Sequence, residues 1–179
     1  MADDADPDVP DLREPVLPGE GASDYERYLR TDALLSLQKR PEEMVHRDEL
    51  LFQTTHQSSE LWLKLACFEV EGATELLQED DVPGALRLLR RAHHCLILVT
   101  DALHVLEHIS PWEYMEVRRV LGHGSGFDSP GFSRLRTLAP ELHRAFEEVL
   151  EREGVDLLTV YTRGREYESL YQLAEALIE

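Results

Sequence analysis

Residues Leu51–Leu65 read LFQTTHQSSELWLKL, and they set a histidine inside an otherwise interior-looking helix. The surrounding helix is expected from about Asp48 to Leu77, with Asp48 and Glu49 placed at the positive end of its dipole. Its apolar positions include Leu50, Leu51, Phe52, Leu61, Trp62, Leu63, Leu65, Ala66, Phe68 and Val70. They cover too much of the circumference for a simple surface helix. Residues three and four apart share a helical face, so Phe52, His56, Ser59 or Glu60, and Leu63 form one face, and Leu51, Thr55, Trp62 and Ala66 another. His56 then has two readings. It is a hydrogen-bonded core or interface residue, or it is a distal base or donor in an apolar pocket, since imidazole exchanges a proton near neutral pH.

Working outward, every segment with a usable period is helical. YERYLRTDALLSLQ, from Tyr25, spaces Tyr25, Tyr28, Leu29, Leu34, Leu35 and Leu37 along a helix or a turn plus helix, ended by Pro41. After the 48–77 helix, Asp81 caps the next one and Pro83 suits its first turn. That helix carries Leu86, Leu89, His93, Leu96, Ile97, Leu103 and Leu106 at spacings of three and four, up to SPWEY. Pro111 begins a short helix, PWEYMEVRRVL, which stops at the glycine-rich GHGSGFDSPG loop. Two further helices are expected, roughly 132–153 and 164–179. No segment alternates with strand period and no internal repeat is visible. The expected fold is all-α, an antiparallel helical bundle with long central helices.

Composition bounds the setting. The chain has 179 residues, 42% of them hydrophobic, enough for one domain with a core of ordinary size. The acidic, proline-spaced residues 1–23 lack a hydrophobic period and read as a disordered tail, leaving 24–179 as the helical domain. With 36 acidic against 18 basic side chains, the net charge of -18 opposes binding to nucleic acid and to anionic membranes. Cys67 and Cys95 sit among apolar neighbours in helical segments, which suits free thiols in a reducing compartment. No leader-like or membrane-spanning run is present, so a cytoplasmic location is expected.

Other constellations carry chemistry of differing specificity. HVLEH spaces His104 and His108 four apart, a two-point metal grip without a third ligand at a definite spacing. His93 and His94 point in two directions, so at most one is buried. In EYMEVRRVLGHGSGF, Tyr114 and Arg118 also stand four apart and can aim a phenol and a guanidinium at one point. That geometry suits a carboxylate, while composition alone slightly favours an ion pair with a local glutamate. Around Ser125, Gly122, Gly124 and Gly126 permit close backbone approach to a ligand or form a plain flexible connection.

Taken in order, YERYLRTDALLSLQ, HRDELLFQTTHQSSELWLKL and EYMEVRRVLGHGSGFDS resemble the tryptophan 2,3-dioxygenase family. The second and third stretches carry most of the specificity. The resemblance covers about Tyr25 to Phe132, and YESLYQLAEALIE more loosely. It implies a helical haem b protein that adds both atoms of O2 across the indole 2,3 bond of L-tryptophan or a related indole, giving an N-formylkynurenine-type product. By position, His56 resembles the distal histidine facing the indole N–H, and Phe52 the apolar wall against substrate and haem. Tyr114 and Arg118 resemble the pair that binds the substrate carboxylate, and Ser125 and Gly126 the loop that closes over the haem edge. Tyr25, Tyr28 and Leu29 resemble an N-terminal helix that completes a neighbouring subunit's pocket, which implies a homo-oligomer, dimer or tetramer.

One departure from the family pattern stands out. The family's proximal haem histidine lies downstream of the YESLYQLAEAL-like helix, in a stretch expected beyond Glu179, and the later glycine-rich loop and ammonium-binding threonine lie there too. His46, His93, His94, His104, His108, His123 and His143 match no ligand position of the family, so no metal ligand is assigned. Two alternatives follow: an aromatic oxygenase of secondary metabolism acting on a substituted indole or tyrosine, and a non-catalytic helical binding or assembly protein.

Overall fold

Helix-forming sequence and capping chemistry account for the elements one by one. The computed structural model describes residues 14–178, and the first thirteen residues of the expected tail lie outside them. Eight α-helices occur among the described residues, with no strand: α1 (Asp24–Leu29), α2 (Thr31–Leu35), α3 (Asp48–Gln78), α4 (Val82–His104), α5 (Pro111–Val120), α6 (Pro130–Glu153), α7 (Leu157–Thr162) and α8 (Glu168–Ile178). The all-α expectation therefore holds. None of the described helices is long and apolar enough to cross a membrane. The chain divides into two compact units, one ending at Met44 and one beginning at Val45.

In the first unit, Ser23 caps α1, and Arg30 then takes a left-handed φ of 53° that breaks the path before α2. The helix ends at Leu35, well before Pro41, which instead opens a 3-10 turn over Pro41–Glu43. Residues ahead of α1 are tied to it. Val16 and Leu17 donate backbone N–H groups to the Asp24 carboxylate, and Arg27 donates from Nε to the Gly21 carbonyl at 2.8 Å. Those amides, Leu17 above all, hold the Asp24 carboxyl below its ordinary pKa.

The second unit is built on the antiparallel pair α3 and α4, joined by the tight turn Glu79–Asp81. Asp81 accepts from the Gly84 N–H at 2.9 Å and so starts α4, as its sequence position predicts. Alanines at the contact let the helices approach: Ala66 and Ala73 on α3 and Ala85 and Ala92 on α4 are buried, with Leu77 and Leu89 between them. α6 lies against α3 through Leu138, Leu142, Phe146 and Val149, and α8 against α4 through Leu170, Leu173 and Ala174. Burying one such leucine contributes about 1.5–3 kcal/mol. The free carbonyls at the end of α3 are met from α6, where Arg152 donates to the Leu77 carbonyl and pairs with Asp80, each at 2.7 Å. Glu69, itself buried, pairs with Arg91 across α3 and α4 at 3.4 Å.

Two further outcomes differ from the sequence reading. α4 ends at His104 and continues as a 3-10 turn over Val105–His108, so the HVLEH histidines lose the α-helical register a two-point grip needs. α7 is a separate short helix, and the last helix starts at Glu168 rather than near Gly164. α3 is covered on two sides, by α4 and α6, in keeping with its broad apolar circumference, while Leu61, Leu65 and Phe68 remain exposed. Of the paired histidines, His93 is half-buried and His94 exposed.

Candidate functional site

Helix geometry first brings Phe52, His56 and Glu60 onto one face of α3, one turn apart. The rings of Phe52 and His56 stack with centroids 4.1 Å apart at 33°. His56 Nδ1 lies 2.8 Å from the Phe52 carbonyl oxygen. A carbonyl only accepts, so the neutral imidazole carries its proton on Nδ1 and presents an unprotonated Nε2. His56 is half-buried, and its Nε2 has no hydrogen-bond partner among the described residues.

α5 supplies the second side. Ser110 and Glu113 form a reciprocal capping box: Ser110 N–H donates to Glu113 Oε2 at 3.0 Å and Glu113 N–H to Ser110 Oγ at 3.3 Å. Hydrogen bonds from Ser110 to the carboxylate, from its side chain first and from its backbone N–H second, hold the Glu113 carboxyl below its ordinary pKa. Fully buried Val117 anchors the helix, and one turn apart on it stand Tyr114 and Arg118. The Tyr114 ring lies 6.3 Å from that of Phe52, tilted by 42°, which joins α5 to α3 beside the imidazole. Arg118 donates from Nη1 to the Gly122 carbonyl at 2.7 Å. Glu116, the local glutamate, pairs with Arg119 instead, at 2.8 and 2.9 Å. The remaining guanidinium donors of Arg118 therefore meet no glutamate among the described residues.

The loop after α5 turns at Gly122, whose φ of +58° favours glycine. Ser125 then caps a 3-10 turn, Gly126–Asp128: its N–H donates to Asp128 Oδ2 at 3.0 Å and its Oγ accepts from the Phe127 N–H at 3.3 Å. Together these elements enclose an open cleft of about 730 Å³ lined by Phe52, His56, Tyr114, Arg118, Ser125 and Gly126. Six residues picked from three separate stretches of sequence thus line one cavity. Tyr25, Tyr28 and Leu29 belong to the other unit, where all three are exposed.

Leu106, Leu121, Glu60, Asp128 and Ser129 complete the lining and were not singled out as site residues by sequence. Only Glu60 had a visible signal, its place one turn beyond His56. His56 is the only histidine among the described residues of the lining. A separate group, His46, Asp48 and Glu113, brings one donor atom from each residue within 4.8 Å of the others. Helix starts account for it: His46 Nδ1 accepts from the Asp48 N–H at 3.3 Å, and Glu113 closes the Ser110 box.

Comparison with known proteins agrees with this geometry. The sequence profile described as tryptophan 2,3-dioxygenase matches residues 12–146. The tryptophan 2,3-dioxygenase of Rhodococcus jostii (strain RHA1) is 39% identical over 137 residues, which is 76% of this chain and 44% of that protein. Those of Xanthomonas oryzae pv. oryzae (strain PXO99A) and Xanthomonas campestris pv. campestris (strain B100) are 46% identical over 110 residues, 62% of this chain and 37% of each relative. The chain spans less than half the length of these curated relatives. With a profile match over most of its length and its spaced motifs gathered at one cleft, the chain belongs to the tryptophan 2,3-dioxygenase family.

Proposed function

We propose that the cleft binds L-tryptophan or a related aromatic amino acid and serves its haem-dependent oxygenation by O2 to an N-formylkynurenine-type product. One observation carries the reading: the imidazole of His56 and the guanidinium of Arg118, on different helices, line the same apolar cleft with Phe52 and Tyr114. In this reading His56 Nε2 accepts the indole N–H. Arg118, with the Tyr114 phenol, grips the carboxylate through charge-assisted hydrogen bonds. Phe52 holds the ring and keeps water from it. The chain's share of the catalysis is orientation, which converts a chance encounter into a fixed geometry.

The described residues fit one face of a haem. Phe52, Leu106 and Leu121 offer an apolar surface, and Gly124 to Gly126 let backbone come close. Bound there, haem would supply the iron that activates O2. Ser125 and Gly126 would lie along its edge. No second histidine lines the cleft among the described residues, so an axial ligand opposite His56 is not identified. A second reading, a helical protein that binds an aromatic amino acid without catalysis, rests on the same Arg118 and Tyr114 pair at the cleft. Tyr25, Tyr28 and Leu29, exposed on α1, are proposed to complete the pocket of a neighbouring copy in a dimer or tetramer.

Absorption spectra of the purified chain with haemin, recorded with and without L-tryptophan, test the proposal. A sharp Soret band that shifts when L-tryptophan is added is the expected result. A spectrum indistinguishable from free haemin overturns haem chemistry by this chain alone, and L-tryptophan binding without haem then leaves the second reading standing.

A further inference from the structure

The loop between α5 and α6 forms one side of the cleft, yet its own sequence gives it little reason to stay there. Glycines at 122, 124 and 126 make it costly to order. Its internal bonds, Gly124 N–H to the Leu121 carbonyl and Ser125 N–H to Asp128, curl it on itself without reaching α3. The tie to α3 runs through Glu60 of that helix. Ser129 Oγ–H donates to Glu60 Oε1, and Gly131 N–H donates to Glu60 Oε2 at 3.0 Å. Both carboxylate oxygens are thus engaged by residues about seventy positions away in sequence. We propose that Glu60 is a positioning residue that latches the end of the 121–129 loop and the first turn of α6 to α3, and thereby sets the loop side of the cleft relative to His56 and Arg118.

Three independent features support the latch. Ser129 is the N-cap of α6: its Oγ accepts from the Phe132 N–H at 3.2 Å, which leaves its own proton for Glu60. The carboxylate also lies beside the first turn of a 24-residue helix, whose dipole favours negative charge. Gly131 shows how close the approach is, since a Cβ there would stand 2.6 Å from Leu63 Cβ and 2.8 Å from Glu60 Oε2. Beyond the latch, Cys67 Sγ lies 3.7 Å from the Gly131 carbonyl, and one turn further along α6 Arg134 pairs with Glu71 of α3 at 2.6 Å. At the loop's other end Arg118 holds the Gly122 carbonyl. The loop is therefore strung between two cleft residues, and Glu60 stands one helical turn from His56, so any slack in the latch moves the loop against the imidazole.

Amide hydrogen exchange on the whole chain tests this without any ligand. Glu60→Ala is expected to speed exchange over residues 122–132 by about tenfold, the scale of one lost charged hydrogen bond, with α4 unchanged. Glu60→Gln can still accept from Gly131 and donate to Ser129 Oγ, and it is expected to restore much of that protection. Loop exchange unchanged in Glu60→Ala, a rise shared equally by α4, or a Gln variant as open as the Ala variant each overturns the latch. Should Glu60→Ala fail to fold, Ser129→Gly removes one arm while keeping an acceptable N-cap. A smaller rise confined to the same segment then supports the latch, and no rise overturns it. The effect on the ligand rests on the proposed amino acid site. L-tryptophan affinity, measured by calorimetry, is expected to fall about tenfold in Glu60→Ala and less in Glu60→Gln. A wild-type chain that binds no L-tryptophan defeats the amino acid reading, while the exchange data still decide the latch.

Discussion

Arg118 and Gly122 are joined by a single 2.7 Å hydrogen bond from Nη1 to the carbonyl oxygen, while the neighbouring Arg119 satisfies Glu116. The guanidinium is thereby oriented by backbone rather than neutralised by a carboxylate. It keeps its charge and most of its donors for a ligand.

Replacing that side chain should separate the two ends of the ligand. Arg118→Ala is expected to weaken L-tryptophan binding by about 1.5–3 kcal/mol, the usual worth of a hydrogen bond to a charged group, while leaving indole nearly unaffected. Calorimetric titration of both compounds decides the matter, and equal losses would refute a carboxylate role.

The imidazole invites a complementary experiment. With Nδ1 committed to the Phe52 carbonyl, Nε2 is an acceptor. The wild-type chain is expected to favour L-tryptophan over its N1-methyl derivative by about tenfold, near the value of one net hydrogen bond. His56→Phe should abolish that preference. A preference that survives the substitution places the N–H elsewhere.

Acid stability follows from the start of α5. The Glu113 carboxyl is held below its ordinary pKa by Ser110, so its contribution is complete above the unfolded value and disappears as pH falls through the lower folded value. In thermal melts from about pH 6 down to about pH 3, Glu113→Gln should lose less stability than the wild type. Parallel curves would show that the box does not couple to acid unfolding.

Much of the scaffold was legible because its signals are local. Asp81 before Val82, Pro111 at the start of α5 and the three-and-four spacing of Leu86, Leu89 and Leu96 each depend on residues within a turn or two. α7 was missed because Leu157–Thr162 is under two turns and too short to show a period. The left-handed Arg30 gave no warning, since any residue type other than glycine or asparagine is a poor marker of positive φ. The broad apolar circumference of α3 rightly marked it as more than a surface helix, but hydrophobic pattern does not say which positions a neighbour covers, and Leu61, Leu65 and Phe68 lie open. At the site, spacing left each cleft residue with a second reading and the family resemblance chose among them, while the bond from Glu60 to Ser129 joins positions too far apart for any periodicity to reveal.

The proton on His56 Nδ1 has one more consequence. It makes the outward edge of the ring a pure acceptor, while Arg118 on the next helix is purely a donor and a cation. The cleft consequently has a direction. A ligand with an N–H at one end and a carboxylate at the other fits it one way round, and the reversed entry would set an anion against a lone pair and a ring N–H against a guanidinium.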